Sequence, residues 1–99
     1  MDALAIGLSG MQAAQVRLAA SAHNVANFTT DGVRPLRVVQ STLAGGGATA
    51  RAVQTPAPEP VDLAHELVEQ MLAKHQFGAS LRAVAASSDM LGSVLDVFA

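Results

Sequence analysis

Two helix-length apolar stripes sit at opposite ends of this chain, separated by a Gly/Ala/Pro-rich stretch that cannot build a core of its own. In the first segment Leu4, Leu8, Met11, Gln15, Leu18, Ala22 and Val25 recur at alternating spacings of four and three, the heptad pattern of a coiled-coil seam. Near the other end Phe77, Leu81, Val84, Ser88, Leu91, Leu95 and Phe98 repeat that spacing. The most distant parts of the sequence therefore each offer a sticky helical face, suited to packing on the other and on other molecules. The predicted fold is all-α: two long amphipathic helices forming a coiled-coil-like antiparallel hairpin or an oligomeric bundle, joined by an irregular or β-hairpin linker. Residues 1–28 form the first helical segment, 29–60 the turn, hairpin and Pro-rich linker, and 61–99 the second helical segment.

Material for a core is thin. A chain of 99 residues is at most one small domain, burying roughly 60–65% of the surface that its unfolded form exposes. Phe28, Phe77 and Phe98 are its only aromatics, and alanine makes up about a fifth of it. Alanine favours helix because it loses no side-chain entropy, yet it contributes little apolar area. Marginal stability alone, with partners supplying the rest, is the expectation. A net charge of −2 with 14% charged residues provides no basic stripe for phosphates, so nucleic acid is not an expected partner. No apolar run approaches the roughly 20 residues that span a bilayer, and Asp2 stands where a secretory signal carries Lys or Arg. Neither membrane insertion nor a cleaved signal peptide is expected.

The first helix is predicted to start near Asp2, whose carboxylate caps free N–H groups, and to end near Asn27. Gly7 and Gly10 inside it each cost about 1 kcal/mol relative to alanine, a cost usually offset by close approach of a second helix. Thr29-Thr30-Asp31-Gly32 is turn chemistry, and Pro35 biases Arg34 away from helix. Residues 36–40 and 49–54 alternate around Gly45-Gly46-Gly47 and read equally as a loose β-hairpin or a disordered linker, because an isolated two-stranded hairpin is marginal in water. Pro56, Pro58 and Pro60 hold the chain extended. The second helix is predicted from about Pro60–Asp62 to Phe98, with Asp62, Glu66 and Glu69 in its early turns. At roughly 55 Å against roughly 37 Å for the first, it must overhang. Its stripe also changes register, from Val61, Ala64, Val68 and Met71 to the seam starting at Phe77, which suits contact with more than one neighbour.

Chemistry-bearing patterns are weak. His65 and Glu69 share a helix face, but no second pair sits at ligand spacing, and His23 and His75 have no obvious mates. Ser87-Ser88-Asp89 lacks a nucleophile elbow, and the three glycines lack the Lys-Ser/Thr of a phosphate-binding loop. A non-enzymatic protein with no catalytic, metal or cofactor-binding residues and no cofactor is the expectation. Asn24 and Asn27 are more informative, since asparagine is a poor helix former and prefers caps. Both flank Val25 and read either as a plain C-terminal cap or as orienting groups that bond to a neighbour.

The run Ser9-Gly10-Met11-Gln12-Ala13-Ala14-Gln15, then Ala22-His23-Asn24-Val25-Ala26-Asn27 and Thr30-Asp31-Gly32-Val33-Arg34, strongly resembles the N-terminal signature of the bacterial flagellar basal-body rod and hook protein family. The stretch Val61–Met71, with Phe77 and Asp89-Met90-Leu91, looks like that family's C-terminal segment. Ser9, Gly10, Asn24, Asn27, Thr30, Gly32, Asp62 and Glu66 are the matching motif positions. The middle is too short for the β-rich domains of larger members, so the chain resembles a minimal rod-like one. His23 stands where the family often has asparagine, Val33 where an aromatic is common and Ser80 where asparagine is frequent. The resemblance implies an axial structural protein in the periplasmic rod of the basal body, which self-assembles through its terminal helices with copies of itself and other rod and hook proteins. It also implies export through the flagellar type III apparatus. A rod-derived helical adaptor acting outside the flagellum is the alternative. On either reading the working residues are Leu4, Leu8, Met11, Leu18, Val25, Phe77, Leu81, Val84, Leu91 and Leu95.

Overall fold

A computed structural model describes residues 2–98; Met1 and Ala99, which fall within the expected terminal segments, lie outside the described residues. Helix α1 spans Ala3–Ala26. It starts where it does because Asp2 is extended and its Oδ1 accepts the Ala5 N–H at 2.7 Å, filling one of the donors that a helix N-terminus leaves open. It stops at Asn27, whose N–H donates to the His23 and Asn24 carbonyls, both at 3.1 Å, while its side-chain amide donates to the His23 carbonyl at 2.9 Å.

Strands β1 (Leu36–Thr42) and β2 (Ala48–Gln54) pair antiparallel, with Leu36 opposite Gln54 and Thr42 opposite Ala48. The connecting loop closes through Leu43 N–H to the Gly47 carbonyl at 3.0 Å. Gly45, Gly46 and Gly47 take φ of 85°, 98° and 98°, a run of left-handed backbone that only glycine adopts without strain. At the open end the chain doubles back: the Thr55 N–H donates to the Pro35 carbonyl at 2.9 Å and the Glu59 N–H to the Val33 carbonyl at 3.1 Å. The Arg37 guanidinium meets the Glu59 carboxylate at 2.6 Å across the same junction.

Helix α2 (Leu63–Phe98) follows. Asp62 opens it, with Oδ1 accepting from the N–H groups of Ala64 and His65 at 3.1 and 3.3 Å. It runs antiparallel to α1 and continues past it, so the molecule measures 63 × 24 × 14 Å.

The architecture is α+β, two helices and a two-stranded antiparallel sheet, and the all-α expectation of a helical hairpin or bundle is corrected accordingly. The strand pair is not left to stand by itself in water, the situation that makes isolated hairpins marginal. It lies along α1, where alanine leaves room: Ala13 and Ala20 are buried, and the Ala48 N–H donates to the Ser9 hydroxyl at 3.0 Å. The core is correspondingly small-residue in character, with Ala13, Ala14, Ala20, Ala73 and Val61 its buried apolar members.

Candidate functional site

The joint between α1 and α2 is made by the residue row one position ahead of the apolar stripe. Gly7, Gly10, Ala14, Arg17, Ser21 and Asn24 keep the same three-and-four spacing and face α2. A Cβ on Gly7 would lie 2.6 Å from the Val84 side chain, and one on Gly10 would collide with the Ser80 hydroxyl. These two glycines let the backbones approach closely, which is their compensation for low helix propensity. On α2 the facing residues include Glu66, Glu69, Ala73, Gln76, Ser80 and Val84, so the contact alternates small apolar with polar groups.

At the end nearest the hairpin the joint becomes a buried polar knot. Asn24 is 1% exposed and Glu66 2%. The Asn24 amide donates to the Leu36 carbonyl at 2.9 Å and to both Glu66 carboxylate oxygens at 3.1 and 3.0 Å, while its carbonyl accepts the Leu36 N–H at 2.7 Å. The Ser21 hydroxyl donates to the Glu66 backbone carbonyl at 3.0 Å. Arg17 reaches from α1 to Glu69 on α2 at 3.4 Å and to the Gln40 side chain on β1 at 3.0 Å. One asparagine therefore fixes α1, β1 and α2 relative to one another, with Arg17 as a looser second tie.

The other motif positions shape backbone. Ser9 bridges to the hairpin, Thr30 donates to the Asn27 side-chain carbonyl at 3.1 Å, Gly32 takes φ 69° in the following turn, and Asp62 caps α2. Sequence reasoning singled out Asn24 and Glu66 separately but not their contact, named Glu69 without its Arg17 partner, and missed Ser21, Arg17 and the alanine face under the hairpin. The row beginning at Gly7 keeps the spacing of the stripe, but apart from Arg17 its side chains are small, and none is a large apolar one.

With that joint formed, most of the apolar stripe stays outside. On α1, Leu4, Leu8, Leu18 and Val25 are 40–48% exposed, and Met11 is half-buried. On α2, Phe77 and Val84 are half-buried, whereas Leu81 is 48%, Leu91 60% and Leu95 61% exposed. The structure brings Leu18 and Phe77 together as walls of a shallow groove between the helices, floored by Ala14 and Ala73 and edged by Gln15, Gln70 and Lys74, with a volume of about 340 Å³. Leu91 and Leu95 sit apart from the rest, on the part of α2 that projects past the start of α1.

His23, His65 and His75 are exposed and dispersed, and among the described residues no group of three or more His, Cys, Asp or Glu side chains could hold a metal ion. No described helix is long and apolar enough to cross a membrane. The sequence matches no protein-family model and no curated protein.

Proposed function

We propose that this chain is a structural subunit of the flagellar rod type, which assembles with copies of itself and with related rod and hook proteins along the axis of the basal body. On this reading it is non-enzymatic, uses no cofactor and reaches its place through the flagellar type III export apparatus. The resemblance in both terminal segments supports it. The observation that carries it is the unburied stripe Leu4, Leu8, Leu18 and Val25 on α1 with Leu81, Leu91 and Leu95 on α2. Large apolar side chains left exposed on both helices mark interaction surface, and the fold keeps them outside by using small and polar residues for its internal joint.

The test is the oligomeric mass of purified protein across concentration, compared with Leu81→Asp. Wild type forms concentration-dependent oligomers, and Leu81→Asp shifts the mass toward monomer while helicity, fixed by the internal joint, stays near the wild-type value. Unchanged mass in the variant removes Leu81 from the interface, and a wild type that is monomeric throughout removes the assembly reading. Recovery in isolated basal bodies supports the rod assignment. Exclusive recovery in the cytoplasm, with normal motility in a deletion strain, supports an adaptor outside the flagellum instead.

A further inference from the structure

From Ser88 to Phe98 helix α2 has no α1 beside it, and every residue there is exposed. This projecting tail is roughly 16 Å long. Met90, Leu91, Val94, Leu95, Val97 and Phe98 are between 51% and 83% exposed and together present on the order of 700 Å² of apolar surface, close to the roughly 800 Å² per partner of a standard interface. At 100° per residue these six positions spread over an arc of roughly 160°, wider than the seam that one straight partner helix covers. A helix with so broad an apolar face is covered by a groove with two walls.

The molecule carries such a groove on the flank of α1 and α2 away from the hairpin. Its floor residues, Ala14 and Ala73, are small and its walls, Leu18 and Phe77, are large, a shape that receives bulky side chains from an incoming helix. The groove runs roughly 10 Å along α2, from Gln70 to Phe77, so it receives about two turns of the tail while the rest lies along the helix pair beyond it. Charge agrees as well. The last turn of α2 contains no basic residue and includes Asp96, so the negative end of that helix is uncompensated, and Lys74 stands on the groove edge.

We propose that the tail of one copy, residues 88–98, seats in the Leu18/Phe77 groove of a second copy, a head-to-tail contact that rests on the assembly reading above and specifies its geometry. Tail and groove are different surfaces, so the contact is heterologous, and each copy that offers its tail keeps its groove free for the next. Such contacts propagate into open assemblies unless a rotation closes them into a ring.

The experiment uses two variants of the full chain, each checked for wild-type helicity by circular dichroism. Leu91→Asp with Leu95→Asp breaks the tail, which takes no part in the internal joint. Leu18→Asp with Lys74→Glu blocks the groove at exposed positions. Analytical ultracentrifugation of each alone is expected to show at least a tenfold loss of association, whereas an equimolar mixture forms a one-to-one dimer and nothing larger, because one intact tail meets one intact groove. A groove-blocked copy that still self-associates like wild type indicates tail-to-tail pairing and overturns the proposal, and so does a mixture that remains monomeric. Oligomers that survive both variants but not Leu81→Asp sink the tail-in-groove contact and leave the assembly reading standing. A wild type that never associates sinks both.

Discussion

Asn24 lies in the last turn of α1, still within the helix, where local propensity disfavours it because an asparagine side chain competes with the backbone for hydrogen bonds. Here the competition is directed outward. The side chain supplies Leu36 with both backbone partners at the start of β1 and supplies the Glu66 carboxylate with its donor. Replacing it by alanine removes these bonds and leaves a buried carboxylate without a partner, so Asn24→Ala is expected to cost about 3–4 kcal/mol. Asn24→Asp keeps the shape but sets a second carboxylate against Glu66 and loses the donor, and it costs at least as much. Urea denaturation followed by circular dichroism measures both. A loss below about 1 kcal/mol for the alanine variant would show that the knot contributes little to holding the three elements together.

Among elements, the glycines of the two helices separate sharply by what surrounds them. Gly7→Ala drives a methyl group into Val84, and overpacking outweighs the gain in helix propensity, for a net loss of about 1–2 kcal/mol. Gly78→Ala and Gly92→Ala meet nothing within 4 Å; Gly78→Ala stabilises the protein by about 0.5–1 kcal/mol, whereas Gly92→Ala, on the projecting tail, raises helicity with little shift in Tm. Thermal melts of the three variants give the comparison, and equal shifts in Tm for Gly7→Ala and Gly78→Ala would mean that α1 and α2 do not approach closely at Gly7. This contrast also explains what could be read from the sequence. Helix limits were legible because Asp2, Asn27 and Asp62 act locally, and the long stripe and the overhang followed from spacing and length. The face that α1 turns to α2 was not legible, because hydrophobic periodicity points to the row with the largest side chains, Leu4 to Val25, while the joint uses Gly7 to Asn24. The hairpin was visible as alternation around three glycines, but its support comes from Ala13, Ala20, Ser9 and Asn24, which are distant in sequence. Asn24 stood out as a costly residue, yet nothing local to it named Glu66 or Leu36 as its partners.

For the whole molecule, the division between a joint of small residues and an exposed apolar tail predicts that folding and association respond to different parts of the chain. Truncation after Ser88 leaves every α1–α2 contact named above in place. The unfolding free energy is then expected to stay within about 0.5 kcal/mol of wild type, with concentration-dependent association lost. Denaturant titration and sedimentation read the two effects separately, and a truncated protein that unfolds far more easily would mean that the tail serves the monomer. The alanine, glycine and serine joint has a further thermodynamic consequence. Opening it exposes little hydrocarbon, so the heat-capacity increment of unfolding should fall below the ~12–15 cal/mol/K per residue common among globular proteins, and the denaturant m-value should be low for a chain of this length. The stability curve of the solitary subunit is therefore only weakly bowed, and cold pulls its two helices apart far less than it does a protein with a large hydrocarbon core.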